Sequence, residues 1–346
     1  MLFFTKNEYA IFLFRKIMGG FIMEKEKDYY DYDPRLNYKP GFNLFQQNFE
    51  EEPYSTMLQD LIKQNIINVA AYQPRFDCSM VRLNYSSQGQ EITYYKISPA
   101  GCADETLPVI IYYHGGAFIF PLDLMMLNNA CYYAAQLKCH VLLPDYLCAP
   151  EYSSDFIVQE CYDFLIYAQK NASALHIDMS KLLIFGDSAG GALAAAVTLM
   201  ARDFDGPKAL GQLLIYPVTD EDTSIATYPS MGLKYAEWNK AASEHMFNLL
   251  FSKGRGQMTN YIVPISNSHH DSLPPAYIEP SDLDSLRDEA LAYGDKLKAA
   301  GVPVTINITK ATHHGFDNNI ENEFVLEILD QRCLVMRDMF SAVPAS

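Results

Sequence analysis

Long apolar runs are missing from this sequence. No stretch approaches the roughly 18 consecutive apolar residues that a membrane span needs. The apolar patches of the first 20 residues are broken by Arg15 and Lys16, and no small-residue cleavage site follows, so no signal peptide is expected. Basic residues are also scarce: 26 Lys and Arg stand against 42 Asp and Glu, a formal charge of −16. That excess of carboxylates repels phosphate backbones and anionic membrane surfaces, so neither a nucleic acid nor a membrane is an expected partner. The seven cysteines (Cys78, Cys102, Cys131, Cys139, Cys148, Cys161, Cys333) are an odd number without a Cys-x-x-Cys pair. A disulfide framework or a zinc site is thereby disfavoured, and thiols in apolar stretches suit a reducing, cytoplasmic compartment.

The sequence does hold enough apolar material for a substantial core. Its 346 residues are 49% hydrophobic and 20% charged, which excludes a disordered chain, and the length allows one large domain or two small ones. The start is ambiguous. Gly19-Gly20-Phe21-Ile22-Met23 can be encoded by a purine-rich ribosome-binding sequence just upstream of an ATG, so one reading makes 1–22 an upstream extension. The other is an ordinary N-terminal helix.

From about Asp28 to Gln73 the chain is rich in Tyr, Asn, Gln and Glu, with three-to-four apolar spacing over Thr56–Val69 that predicts a helix. Val81–Tyr85 and Gln90–Ser98 flank Ser86-Ser87-Gln88-Gly89 as a predicted hairpin. Short runs follow, apolar at every position: Val109–Tyr113, Val141–Pro144, Leu182–Phe185, Leu213–Tyr216, Ala276–Ile278 and Val304–Ile308. Such runs suit strands buried on both faces, and the helical segments between them supply the crossovers of a parallel sheet. The class is α/β, doubly wound, over 76–219 and 257–346. Residues 220–256 interrupt the alternation with Tyr228, Tyr235, Trp238, Phe247 and Phe251, as a cap or lid insertion would; 23–75 is taken as a second cap region.

Three ordered motifs carry chemistry. Gly186-Asp187-Ser188-Ala189-Gly190 follows an apolar strand and opens a small-residue helix. A serine at the apex of a strand-to-helix turn needs a strained backbone with no bulk two residues to either side, which accounts for Gly186 and Gly190 and makes Ser188 a candidate nucleophile. His114-Gly115-Gly116-Ala117 follows the strand Val109–Tyr113. Its glycines let main-chain N–H groups approach a developing oxyanion, so Gly115, Gly116 and Ala117, with Ala189 after the serine, form the candidate oxyanion hole. His114 is expected to fix this loop by hydrogen bonding. A nucleophilic serine needs a base, and the base an orienting carboxylate. His313-His314-Gly315-Phe316 follows the last strand run, and His314, beside the permissive Gly315, is favoured over His313. His269-His270 is read as a solvated loop pair without metal spacing. Acid candidates are Glu279, Asp282, Asp284 and Asp288; Asp284 is favoured, Asp282 is second, and Asp284 has an alternative reading as a helix N-cap.

The order HGGA, GDSAG, DSLRDE, HHGF resembles the hormone-sensitive-lipase-like branch of the α/β-hydrolase carboxylesterases. Asp145-Tyr146-Leu147-Cys148-Ala149-Pro150-Glu151, Tyr216-Pro217-Val218-Thr219-Asp220 and Leu273-Pro274-Pro275-Ala276 add to the likeness. The resemblance implies a mostly parallel eight-stranded sheet with a helical cap, Asp284 as acid and His314 as base. It implies a serine esterase acting on small acyl or aryl esters without metal or organic cofactor; an amidase or arylformamidase, or a ligand-binding member without catalysis, are the alternatives. Phe120-Pro121-Leu122 departs from the Gly-Ser frequent in the family at that place. The cap aromatics fit either an apolar substrate pocket or the cap's own core. Expected partners are a small ester and, for assembly, an open question of a homodimer. Activity should fall as pH drops through the histidine pKa, about 6.5 for an unperturbed ring.

Overall fold

The computed structural model of the protein describes residues 33–36, 52–225 and 238–342. The expected extension 1–22, residues 23–32 and 37–51 of the N-terminal cap region, and Tyr228 and Tyr235 of the insertion lie outside them. Eight strands, β1 (Cys78–Ser87), β2 (Gln90–Pro99), β3 (Leu107–Tyr113), β4 (His140–Pro144), β5 (Ile177–Asp187), β6 (Gly211–Ile215), β7 (Ala276–Glu279) and β8 (Val304–Ile306), form one sheet in the order β1-β2-β4-β3-β5-β6-β7-β8. β1 and β2 pair antiparallel, β2 joins β4 antiparallel, and the other neighbours are parallel.

The runs that are apolar at every position have the structural reason the sequence suggests. In β3, Val109, Ile111 and Tyr113 point into one hydrophobic cluster, while Ile110 and Tyr112 point into the other. Both faces of the strand are therefore dry, as a crossover sheet requires. The helices supplying those faces are α2 (Leu124–Leu137), α3 (Ser154–Lys170), α4 (Ala189–Asp203), α6 (Arg287–Ala299) and α7 (Glu323–Ser341). Two others belong to the regions read as caps: α1 (Glu52–Ala70) precedes the sheet, and α5 (Lys240–Leu250) lies in the insertion after β6. Among the described residues no helix is long and apolar enough to cross a membrane.

Several boundaries differ from the periodicity. The hairpin turn is two residues, Gln88 and Gly89, both at positive φ, so the strands reach Ser87 and Gln90. α2 begins at Leu124 because Asp123 caps it by accepting from the Met125 and Met126 amides at 2.8 and 3.2 Å. β6 stops at Ile215 because Tyr216 turns to φ 31°.

Candidate active site

β5 ends at Asp187 and α4 starts at Ala189, leaving Ser188 at the apex with φ 54°, ψ −121°. Four main-chain bonds hold it: its amide donates to Ile215 O at 2.9 Å, and its carbonyl accepts from Gly191 N and Val218 N, both at 3.0 Å, and from Ala192 N at 3.3 Å. The flanking glycines are sterically required. A Cβ on Gly186 would overlap the Gly190 carbonyl, and one on Gly190 would overlap the carbonyls of Tyr113 and His114. The turn thus forms only where these residues have no side chain.

Three peptide groups surround this serine's segment with their carbonyls already taken. The ring of His114 donates from Nδ1 to Gly115 O at 2.6 Å. Gly116 O accepts from Ile119 N and Phe120 N at 2.9 and 2.8 Å, and Ser188 O is held as above. In a trans peptide the N–H points opposite to its carbonyl. The N–H groups of Gly116, Ala117 and Ala189 therefore face away from those partners. Gly115 packs against the Asp187 carboxyl, with no room there for a Cβ. His114 is fully buried, stacked on Tyr146 with ring centres 4.1 Å apart, and burial pushes its pKa down to about 4.

The other side chains arrive from the far end of the chain. His314 Nε2 lies 2.8 Å from Ser188 Oγ, and His314 Nδ1 lies 2.7 Å from Asp284 Oδ2. Asp284 is buried, and its second oxygen accepts from the Leu286 amide at 3.0 Å. It thus makes the local backbone bond of a capping residue and the imidazole bond with separate oxygens. The remaining candidates are engaged elsewhere. His313 Nδ1 lies 2.8 Å from the His314 carbonyl, Asp282 faces Lys310 at 3.4 Å, Asp288 pairs with Arg287 at 3.0 Å, and Glu279 is bound to Arg332.

A family model described as alpha/beta hydrolase fold matches residues 110–318, a span containing all of these side chains except Arg332. The chain belongs to this family, in its hormone-sensitive-lipase-like branch. Similar relatives include Esterase LipI of Mycobacterium tuberculosis, 31% identical over 63% of this chain and 68% of that protein. Carboxylesterase NlhH of the same organism is 31% identical over 62% of this chain and 68% of that protein. Among solved structures, the Pyrobaculum calidifontis esterase is 28% identical with a TM-score of 0.74, over 83% of this chain and 94% of that one.

Other parts of this hydrolase's site carry weaker sequence signals. On α7 the fully buried Arg332 donates from Nε and Nη2 to Glu279 Oε1 at 2.9 and 2.6 Å, and from Nη1 to Asp317 Oδ2 at 2.5 Å. Asp317 follows the His314 loop and accepts from Tyr216 OH at 2.5 Å, while the Tyr216 ring meets the imidazole edge-on at 4.8 Å. Beside Leu147, buried Glu160 accepts from the Leu147 amide at 3.0 Å, and burial pushes its pKa up to about 8. Burial likewise pushes Asp187 up to about 7. One expectation is corrected: His270 is buried rather than solvated. Its Nε2 donates to Pro264 O at 2.9 Å and its ring packs edge-on against Tyr293 at 5.6 Å, which excludes water from it.

Proposed function

We propose that this hydrolase is a serine carboxylesterase that cleaves small acyl or aryl esters through an acyl-enzyme. The observation carrying the reading is the line of contacts from Ser188 Oγ to His314 Nε2 at 2.8 Å and from His314 Nδ1 to Asp284 Oδ2 at 2.7 Å. That line sits at the carboxyl ends of parallel strands, where open α/β sheets bind ligands. His314 takes the Ser188 proton as Oγ bonds to the ester carbonyl carbon, and Asp284 stabilises the imidazolium. The N–H groups of Gly116, Ala117 and Ala189 bind the oxyanion, each such donor being worth about 3 kcal/mol. Collapse expels the alcohol with the proton from His314. Water, deprotonated by the same ring, then releases the acid and restores Ser188. The family relatives named esterase and carboxylesterase support the ester class.

The test is a fluorophosphonate probe together with p-nitrophenyl esters from two to twelve carbons. Wild type should be labelled and should hydrolyse the short esters, and Ser188→Ala should do neither. Asp284→Asn should lower kcat by about four orders of magnitude. Absence of labelling in the wild type would overturn the reading.

A further inference from the structure

The protein contains a single tryptophan, Trp238, and it stands where the insertion after β6 meets His314. The indole and imidazole centres are 5.6 Å apart with their planes at 35°. Trp238 is held at two points. Its Nε1–H donates to Ser243 Oγ on α5 at 2.8 Å, and its main-chain carbonyl accepts from Ser285 Oγ, next to Asp284, at 2.9 Å. The residue is only 6% exposed. With its N–H engaged by α5, the indole offers the imidazole its π-system in a nearly dry setting. A cation within about 6 Å of an indole centroid is attracted by the ring quadrupole, and more strongly where water is excluded.

We infer that Trp238 is a positioning residue for His314, orienting the neutral ring and favouring the imidazolium formed when Ser188 loses its proton. The inference rests on His314 being the base. Around that imidazole Asp284 is at Nδ1, Ser188 at Nε2, the Tyr216 ring meets it edge-on at 4.8 Å, and the Asp187 carboxyl acts on it through space. On the same loop His313 bonds to the His314 carbonyl, and Asp317 pairs with Arg332, a cation it shares with Glu279. On α6, Asp288 pairs with Arg287, and Glu289 accepts from the Thr219 amide at 2.8 Å.

Two measurements test the role. Trp238→Leu keeps an apolar side chain but removes the π face, and Trp238→Phe restores one. With p-nitrophenyl acetate, Trp238→Leu should lower the plateau kcat/KM by about tenfold and move the acid limb of the pH profile about half a unit downward. The direction follows because an imidazolium that loses a favourable neighbour gives up its proton more readily. Trp238→Phe should recover most of both effects. A packing role alone would lower the plateau without moving the limb, and that result overturns the inference. The second measurement needs no Trp238 variant to fold: emission of this sole tryptophan should be quenched as the imidazole protonates, and the titration should vanish in His314→Gln. An identical titration in His314→Gln also overturns it. Wild type that labels with fluorophosphonate while Trp238→Leu keeps its pH profile defeats this inference only. Wild type that fails to label defeats the esterase reading instead, whatever the emission does.

Discussion

The Ser188 side and the His314–Asp284 side of this site are held by different physical means. On the serine side, the turn at Ser188 and the loop after β3 are fixed by main-chain bonds and by glycines with no room for a side chain. The His314 side is braced at long range: Arg332, on the last helix, binds Glu279 at the end of β7 and Asp317 beside the His314 loop. The charge arrangement differs in the same way. Glu279 and Asp317 share a buried cation, whereas among the described residues no cation pairs with Glu160 or Asp187, and burial pushes both pKa values up. One half of the site is specified by steric exclusion where strand ends meet at a turn, the other by electrostatics spanning the fold.

Removing the brace should give the largest effect. Arg332→Met leaves two carboxylates buried without their counter-charge, and losing one partner of a buried ion pair destabilises by about 3–5 kcal/mol. Urea unfolding should show that loss. The triple variant Glu279→Gln, Asp317→Asn, Arg332→Met should recover part of it, since the penalty comes from unpaired charge. If the single and triple variants unfold alike, the brace acts by packing alone, and the electrostatic half of the comparison fails.

The steric half is tested by Gly190→Ala. The added methyl meets two main-chain carbonyls that cannot rotate away, so overpacking should destabilise the fold by about 3 kcal/mol. Gly101→Ala has open space around its Cβ and only a positive φ to accommodate, so it should lose about 1 kcal/mol. Equal losses at the two positions would mean that backbone strain, not steric exclusion, governs the turn.

This division also explains what the sequence made legible. A steric demand for no side chain marks the position itself, whatever supplies the clash, so Gly186, Ser188 and Gly190 and the His114–Ala117 loop can be read directly, as can the doubly buried strands. Asp284 and His314 could be narrowed by chain order and by resemblance, because each stands at the end of a strand-like run. Arg332 could not. A lone arginine at helical spacing looks like a solvated position, and nothing in the sequence indicates that carboxylates 53 and 15 positions away fold onto it. Trp238 was visible only as one aromatic in a presumed cap. His270 was misread because its polar neighbours conceal the contacts with Pro264 and Tyr293 that bury it.

The smallest effect, and the one that sharpens the charge comparison, belongs to Glu160. Its folded pKa of about 8 lies above the ordinary 4.5 because burial disfavours the carboxylate. Across that interval the folded state binds the proton more tightly than the unfolded chain does. The stabilisation is therefore complete below about pH 4.5 and is lost as pH rises toward 8. Glutamine mimics the protonated acid but cannot ionise, so Glu160→Gln should flatten this part of the stability curve. Between pH 6 and 8.5 the wild type should lose about 2.5 kcal/mol relative to the variant, about three degrees in Tm. Thermal melts at both pH values measure the difference directly. A variant that keeps the wild-type slope would mean that Glu160 stays ionised in the fold, with a counter-charge that makes the serine side resemble the Arg332 side after all.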